Sequence, residues 1–111
     1  MWRDEAYLLD ILLAASKIVR FSQGYDVVKF AADEVLQHAV MRLIQIIGEA
    51  ARKISPAYKE AHPQIPWTQI IGMRNRLVHE YFRVETDIVW EVVEKDIPAL
   101  IPLIKPLVPP E

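Results

Sequence analysis

The sequence predicts an all-α fold, a small up-and-down bundle of four or five helices. Three observations carry that expectation. Apolar residues recur at the three-and-four spacing of a helix face across most of the 111 residues. No strand-like alternation persists, and no internal repeat is visible. Gly24, Ser55-Pro56 and the run His62-Pro63-Gln64-Ile65-Pro66 interrupt the pattern where helices should stop and restart.

Each element follows from its own residues. Tyr7, Ile11, Ala14, Ile18 and Phe21 form one stripe, widened by Leu8, Leu12 and Val19, which predicts a first helix from about Asp4 to Phe21. Leu9 and Leu13 fall on its back with Lys17 and Arg20. Gly24 supplies the stop. A short amphipathic piece, Val27–Ala31, leads into a long helix from about Asp33 to Ile54. Leu36, Val40, Leu43, Ile47, Ala50 and Ile54 form its seam, and a wide apolar arc suggests that it packs on more than one neighbour. Ser55 caps a short helix, Pro56–His62. After the rigid proline connector, Pro66 opens a helix from about Trp67 to His79. Thr86 or Asp87 caps a last one, whose apolar face is Ile88, Val89, Val92 and Val93. Pro98 and Pro102 predict a kink or break near Asp96. One domain, 1–111, is expected, with a proline-rich extended end from about Pro102.

Composition removes whole classes of function. Without cysteine there is no disulfide scaffold, thiolate zinc site or cysteine nucleophile. Three glycines cannot write a phosphate loop. A formal net charge of −2 argues against gripping a duplex through its phosphates, although contact with a few phosphates stays open. The longest apolar run, Ile11–Ala15, is far short of the roughly 20 residues of a membrane span. The first residues carry no export signal, so the expected address is the cytoplasm. A mean hydropathy of +0.12 is high for so small a domain and predicts apolar surface facing a partner.

Chemistry concentrates in Gly72-Met73-Arg74-Asn75-Arg76-Leu77-Val78-His79-Glu80-Tyr81-Phe82. On a helical wheel Trp67, Ile70, Ile71, Leu77, Val78 and Tyr81 share one arc. Arg74 falls inside it, and Gly72, Asn75, Arg76 and His79 lie opposite. A guanidinium within an apolar stripe is costly unless it is paired or reaches a wet cleft. Taken singly, each residue also has an ordinary role. Arg74 could snorkel or pair with a carboxylate, and His79 could sit at a helix C-terminus. Arg76 and Glu80 could form an exposed ion pair. His38 reads as solvated, and His62 has no carboxylate at metal-ligand spacing. Glu49 shares a polar face with Arg42 and Gln45. Trp2, Trp67 and Trp90 read as packing aromatics.

Taken together, Arg74, Asn75, His79 and Tyr81 resemble the Arg-x4–6-His motif of HEPN domains, in the form Arg-Asn-x3-His-x-Tyr. The stretch from Ile65-Pro66-Trp67 to Val89-Trp90, with Ile46-Ile47-Gly48-Glu49-Ala50 and Tyr7-Leu8-x-Asp10-Ile11, is similar to the HepT-like group of that superfamily. The likeness runs from about Tyr7 to Leu103. It implies a metal-independent ribonuclease toxin that acts as a homodimer and needs no cofactor. Arg74 and His79 would be catalytic, with Asn75 as the polar residue beside the arginine. Its antitoxin would be a minimal nucleotidyltransferase of the MntA kind, with Tyr81 accepting the AMP groups that silence the toxin. For Tyr81 to be reached, the helix must loosen or end around His79–Glu80. A different reading makes the chain a non-catalytic HEPN module that holds a nucleotide or its partner. A third, a plain helical adaptor, leaves Arg74 without a reason.

Overall fold

The first element, α1 (Trp2–Phe21), buries Leu8, Ile11, Ala14, Ala15 and Ile18 and leaves Leu9 and Leu13 in solvent. That is the face its spacing predicts, except that Phe21 is exposed at the C-terminal end. The computed structural model describes residues 2–80 and 83–110; for residues 2, 76, 78–80, 83 and 84 it describes the backbone alone. Gly24 turns the chain with φ of 80°, a conformation that costs glycine little. Next come α2 (Val27–Ala31) and α3 (Glu34–Lys53), each capped by an aspartate. Asp26 accepts from the Lys29 amide and Asp33 from the Leu36 amide.

Asp33 also accepts a 2.6 Å bond from the Tyr25 hydroxyl. That bond first, and the Leu36 amide second, hold its carboxyl below the usual carboxylate range. A depressed folded pKa stabilises the fold above the unfolded value, about 4, and that contribution disappears as pH falls through the folded value. The urea midpoint of the wild type should therefore exceed that of Asp33→Asn at neutral pH. The gap should narrow on acidification. A gap independent of pH would show that the charge contributes nothing.

The second tie is longer-range. Asp4, only 3% exposed, accepts from both the backbone amide (2.9 Å) and the hydroxyl (2.7 Å) of Ser55. Ser55 itself caps α4 (Pro56–Ala61) by accepting from the Tyr58 amide. One buried carboxylate thus pins the start of α1 to the turn between α3 and α4. Trp67 is buried and donates its indole N–H to the His62 carbonyl at 3.0 Å, while His62 stacks on Tyr58. Both residues are structural, as their sequence context suggests. His38 is exposed, and Trp90 packs on Phe30.

Helix α5 (Trp67–Leu77) stops two residues short of the expected His79. Val78–Glu80 is instead a strand, β1, paired antiparallel with β2 (Arg83–Val84), and Val78 stands opposite Val84. β-branched residues at matched positions favour this ribbon over another helical turn. The Glu85 amide closes it by donating to the Leu77 carbonyl. Tyr81 and Phe82 lie outside the described residues, as do the side chains of the anticipated Arg76–Glu80 pair.

Beyond the ribbon, α6 (Thr86–Glu91) has Glu85 as its cap residue, with no side-chain capping bond, instead of Thr86 or Asp87. The break anticipated near Asp96 is a π-helical segment, Val92–Asp96, that runs directly into α7 (Ile97–Ile104). A widened turn lets the chain pass Pro98 without ending the helix. The extended end anticipated from Pro102 starts later. Residues through Ile104 are α-helical, Lys105–Leu107 form a 3-10 turn, and the backbone is extended only at Val108. Burial of Leu100 and Ile104 against the core holds this proline-bearing helix in place.

The fold is all-α apart from the short ribbon. Helix α3 packs on α1 along one side and on α5 along the other, α7 covers α1, and α2 meets α6. Ile44, Ile47, Ile18 and Leu8 fill the centre with essentially no exposure. No helix among the described residues is long and apolar enough to cross a membrane.

Candidate functional site

Helix α3 packs on α5 with Gly48 facing the α5 backbone. A β-carbon there would stand 3.3 Å from the Ile71 carbonyl oxygen and 3.7 Å from that of Ile70. A side chain there would press on the α5 backbone, so glycine lets the two helices approach closely. Gly72, by contrast, has open space where a side chain would be.

Polar side chains flank this backbone contact and line a cleft of about 170 Å³. Helix α3 contributes Gln45, Glu49 and Arg52 on successive turns, and α5 contributes Arg74 and Asn75, with Gly48 and Ile71 forming the floor. The Gln45 amide donates to Glu49 Oε2 at 3.3 Å. A larger cleft, about 340 Å³, opens along the other edge of α5, between Gln69 and Met73 on one side and Lys95 and Leu103 on the other. Its described lining includes no residue of the Arg74–Tyr81 segment, whereas Arg74 and Asn75 line the smaller cleft.

Arg74 is exposed and borders the cleft; it does not lie within the apolar face. The wheel put it there because Val78 and Tyr81 were counted with the helix. With α5 ending at Leu77, the buried face is Ile70, Met73 and Leu77, with Trp67 at the N-terminal end. Arg74 stands at its margin. Among the described residues, it reaches no carboxylate within ion-pairing distance. Asn75 shares the cleft. His79 lies in β1, immediately after α5, and its side chain is outside the description. Sequence reasoning placed Glu49 beside Gln45 but missed that this face of α3 meets Arg74. It also missed Arg52 altogether. The available signal was the spacing of Gln45, Glu49 and Arg52 around a mid-helix glycine.

Among the described residues no group of three histidine, aspartate or glutamate side chains is placed to hold a metal ion. No solved structure matches the chain. Curated relatives do. The protein named "Probable ribonuclease HepT" from Thermococcus cleftensis is 40% identical over 94 residues, covering 85% of this chain and 86% of its own. "Putative RNase MJ1380" from Methanocaldococcus jannaschii is 35% identical over 96 residues, covering 86% and 88%. "Putative RNase TTE0752" from Caldanaerobacter subterraneus subsp. tengcongensis is 39% identical over 94 residues, covering 85% and 84%. Residues 11–107 match the family described as "Ribonuclease HepT-like", a span that includes both helices of the cleft and the whole Arg74–Tyr81 segment. The chain belongs to the HepT-like ribonuclease family.

Proposed function

We propose that this protein is a metal-independent endoribonuclease and the toxin of a toxin–antitoxin pair, with Arg74 and His79 as its catalytic residues. The observation that carries the reading is the exposed Arg74, without a carboxylate partner among the described residues, at a polar cleft one turn before the chain leaves helix for the strand that contains His79. His79 takes the proton from a 2′-hydroxyl, whose oxygen attacks the adjacent phosphorus. Arg74 meets the charge that develops on the phosphorane oxygens, and Asn75 assists from the same cleft. The P–O5′ bond breaks, the leaving oxygen takes up a proton, and the products are a 2′,3′-cyclic phosphate and a 5′-hydroxyl. One chain supplies one such histidine. A two-fold dimer with the Gly72–His79 side near its axis supplies a second one as the acid, and the open space beside Gly72 suits close approach of a second copy.

Silencing in this reading is covalent. A minimal nucleotidyltransferase of the MntA kind transfers AMP to Tyr81, and the whole system works in the cytoplasm. The alternative of a non-cutting HEPN module that holds a nucleotide or partner predicts RNA or nucleotide binding without cleavage. Incubation of the purified protein with single-stranded RNA in excess chelator, with analysis of the ends, separates the two. We expect cleavage with cyclic-phosphate ends, and sedimentation at twice the 12.8 kDa chain mass. Cleavage that stops on chelation, or activity retained by a monomer, contradicts the mechanism.

A further inference from the structure

We infer that Arg52 is a backbone clamp for the substrate, holding the phosphate next to the one that is cut. The inference rests on the ribonuclease reading and extends it to the opposite wall of the same cleft. Arg52 and Arg74 face this cleft from α3 and α5, and both are exposed. Among the described residues, neither comes within ion-pairing distance of a carboxylate. Glu49, the one acid among the described residues of the cleft, accepts instead from Gln45. Two unpaired guanidinium groups across so small a space, in a chain of net charge −2, select an anion with more than one charged centre. A polynucleotide backbone has that form.

The ordinary role for a basic residue in the last turn of a helix is to face its carbonyl dipole. Here that role is filled elsewhere. Lys59 donates to the Arg52 carbonyl at 3.3 Å, and Lys53 occupies the same last turn. The Arg52 guanidinium is left for the cleft. Arg74, on the helix that runs into the His79 strand, takes the reacting phosphate. Arg52, across the Gly48 contact, takes its neighbour, so it contributes to binding equally in ground and transition states. Arg52 is therefore a positioning residue.

The test uses the His79→Ala protein, which holds RNA without turnover, and a single-stranded RNA oligonucleotide titrated across a salt series. Arg52→Ala in that background should weaken binding about tenfold at low salt. It should flatten the slope of log affinity against log salt by about 0.7, the loss of one single-strand phosphate contact. Arg52→Lys should keep the slope. In the active protein Arg52→Ala should raise KM about tenfold with kcat nearly unchanged. An unmoved slope and KM in a protein that still cuts RNA would overturn the clamp and leave the ribonuclease reading standing. A fall in kcat with unchanged affinity would overturn it by making Arg52 catalytic. RNA that is bound with the expected slope but never cut would support the clamp and defeat the ribonuclease reading.

Discussion

Replacing either Arg74 or His79 by alanine should lower kcat/KM for RNA cleavage by at least about a hundredfold. The two losses should not add. A proton acceptor and a charge stabiliser that serve one transition state fail together, so the double variant should be little worse than either single one. The structure makes Arg74→Ala a clean test. Its side chain is exposed at the rim of the cleft, outside the buried face formed by Ile70, Met73 and Leu77, so truncation opens no cavity. Stability should stay within about 0.5 kcal/mol of wild type. Circular dichroism and urea unfolding monitor that, and steady-state cleavage of a labelled oligonucleotide reads the chemistry. A fully active His79→Ala protein would move the reaction to another site.

Co-expression with the cognate nucleotidyltransferase should abolish cleavage, and Tyr81→Phe should escape this control while remaining active. The transfer joins the Tyr81 oxygen to the α-phosphorus of ATP and releases pyrophosphate. In this proposal the attached phosphate adds negative charge and competes with RNA for the Arg74 guanidinium. On a continued helix Tyr81 would turn into the apolar face, where a buried phenol cannot react. Helix α5 in fact ends at Leu77, and residues 78–80 form a strand. Mass spectrometry of the Tyr81 peptide decides the point. A neutralised complex with an unmodified Tyr81 would defeat this part of the proposal.

Most of the helical order was legible in the chain itself because local rules govern it. Periodicity marks the buried faces of α1 and α3, Asp33 and Ser55 cap helices, and the proline connector has no alternative. Where context competes with local preference, the sequence misled. Helix α5 yields to a strand at Val78 because a partner strand, Arg83–Val84, offers hydrogen bonds that no single segment reveals. Pro102 reads as a breaker, yet α7 continues to Ile104, because Leu100 and Ile104 are buried in a core built by distant residues.

The proposed reacting groups were legible in the sequence, since the arginine, asparagine, histidine and tyrosine stand in one short segment. Their setting belongs to the tertiary structure. Only the packing of α3 on α5 at Gly48 sets Glu49 and Arg52 opposite Arg74, and only the early end of α5 puts Arg74 at the margin of the apolar face. A wheel orders the residues of one helix about its own axis. It contains nothing about the second helix that makes a cleft, nor about where the helix stops.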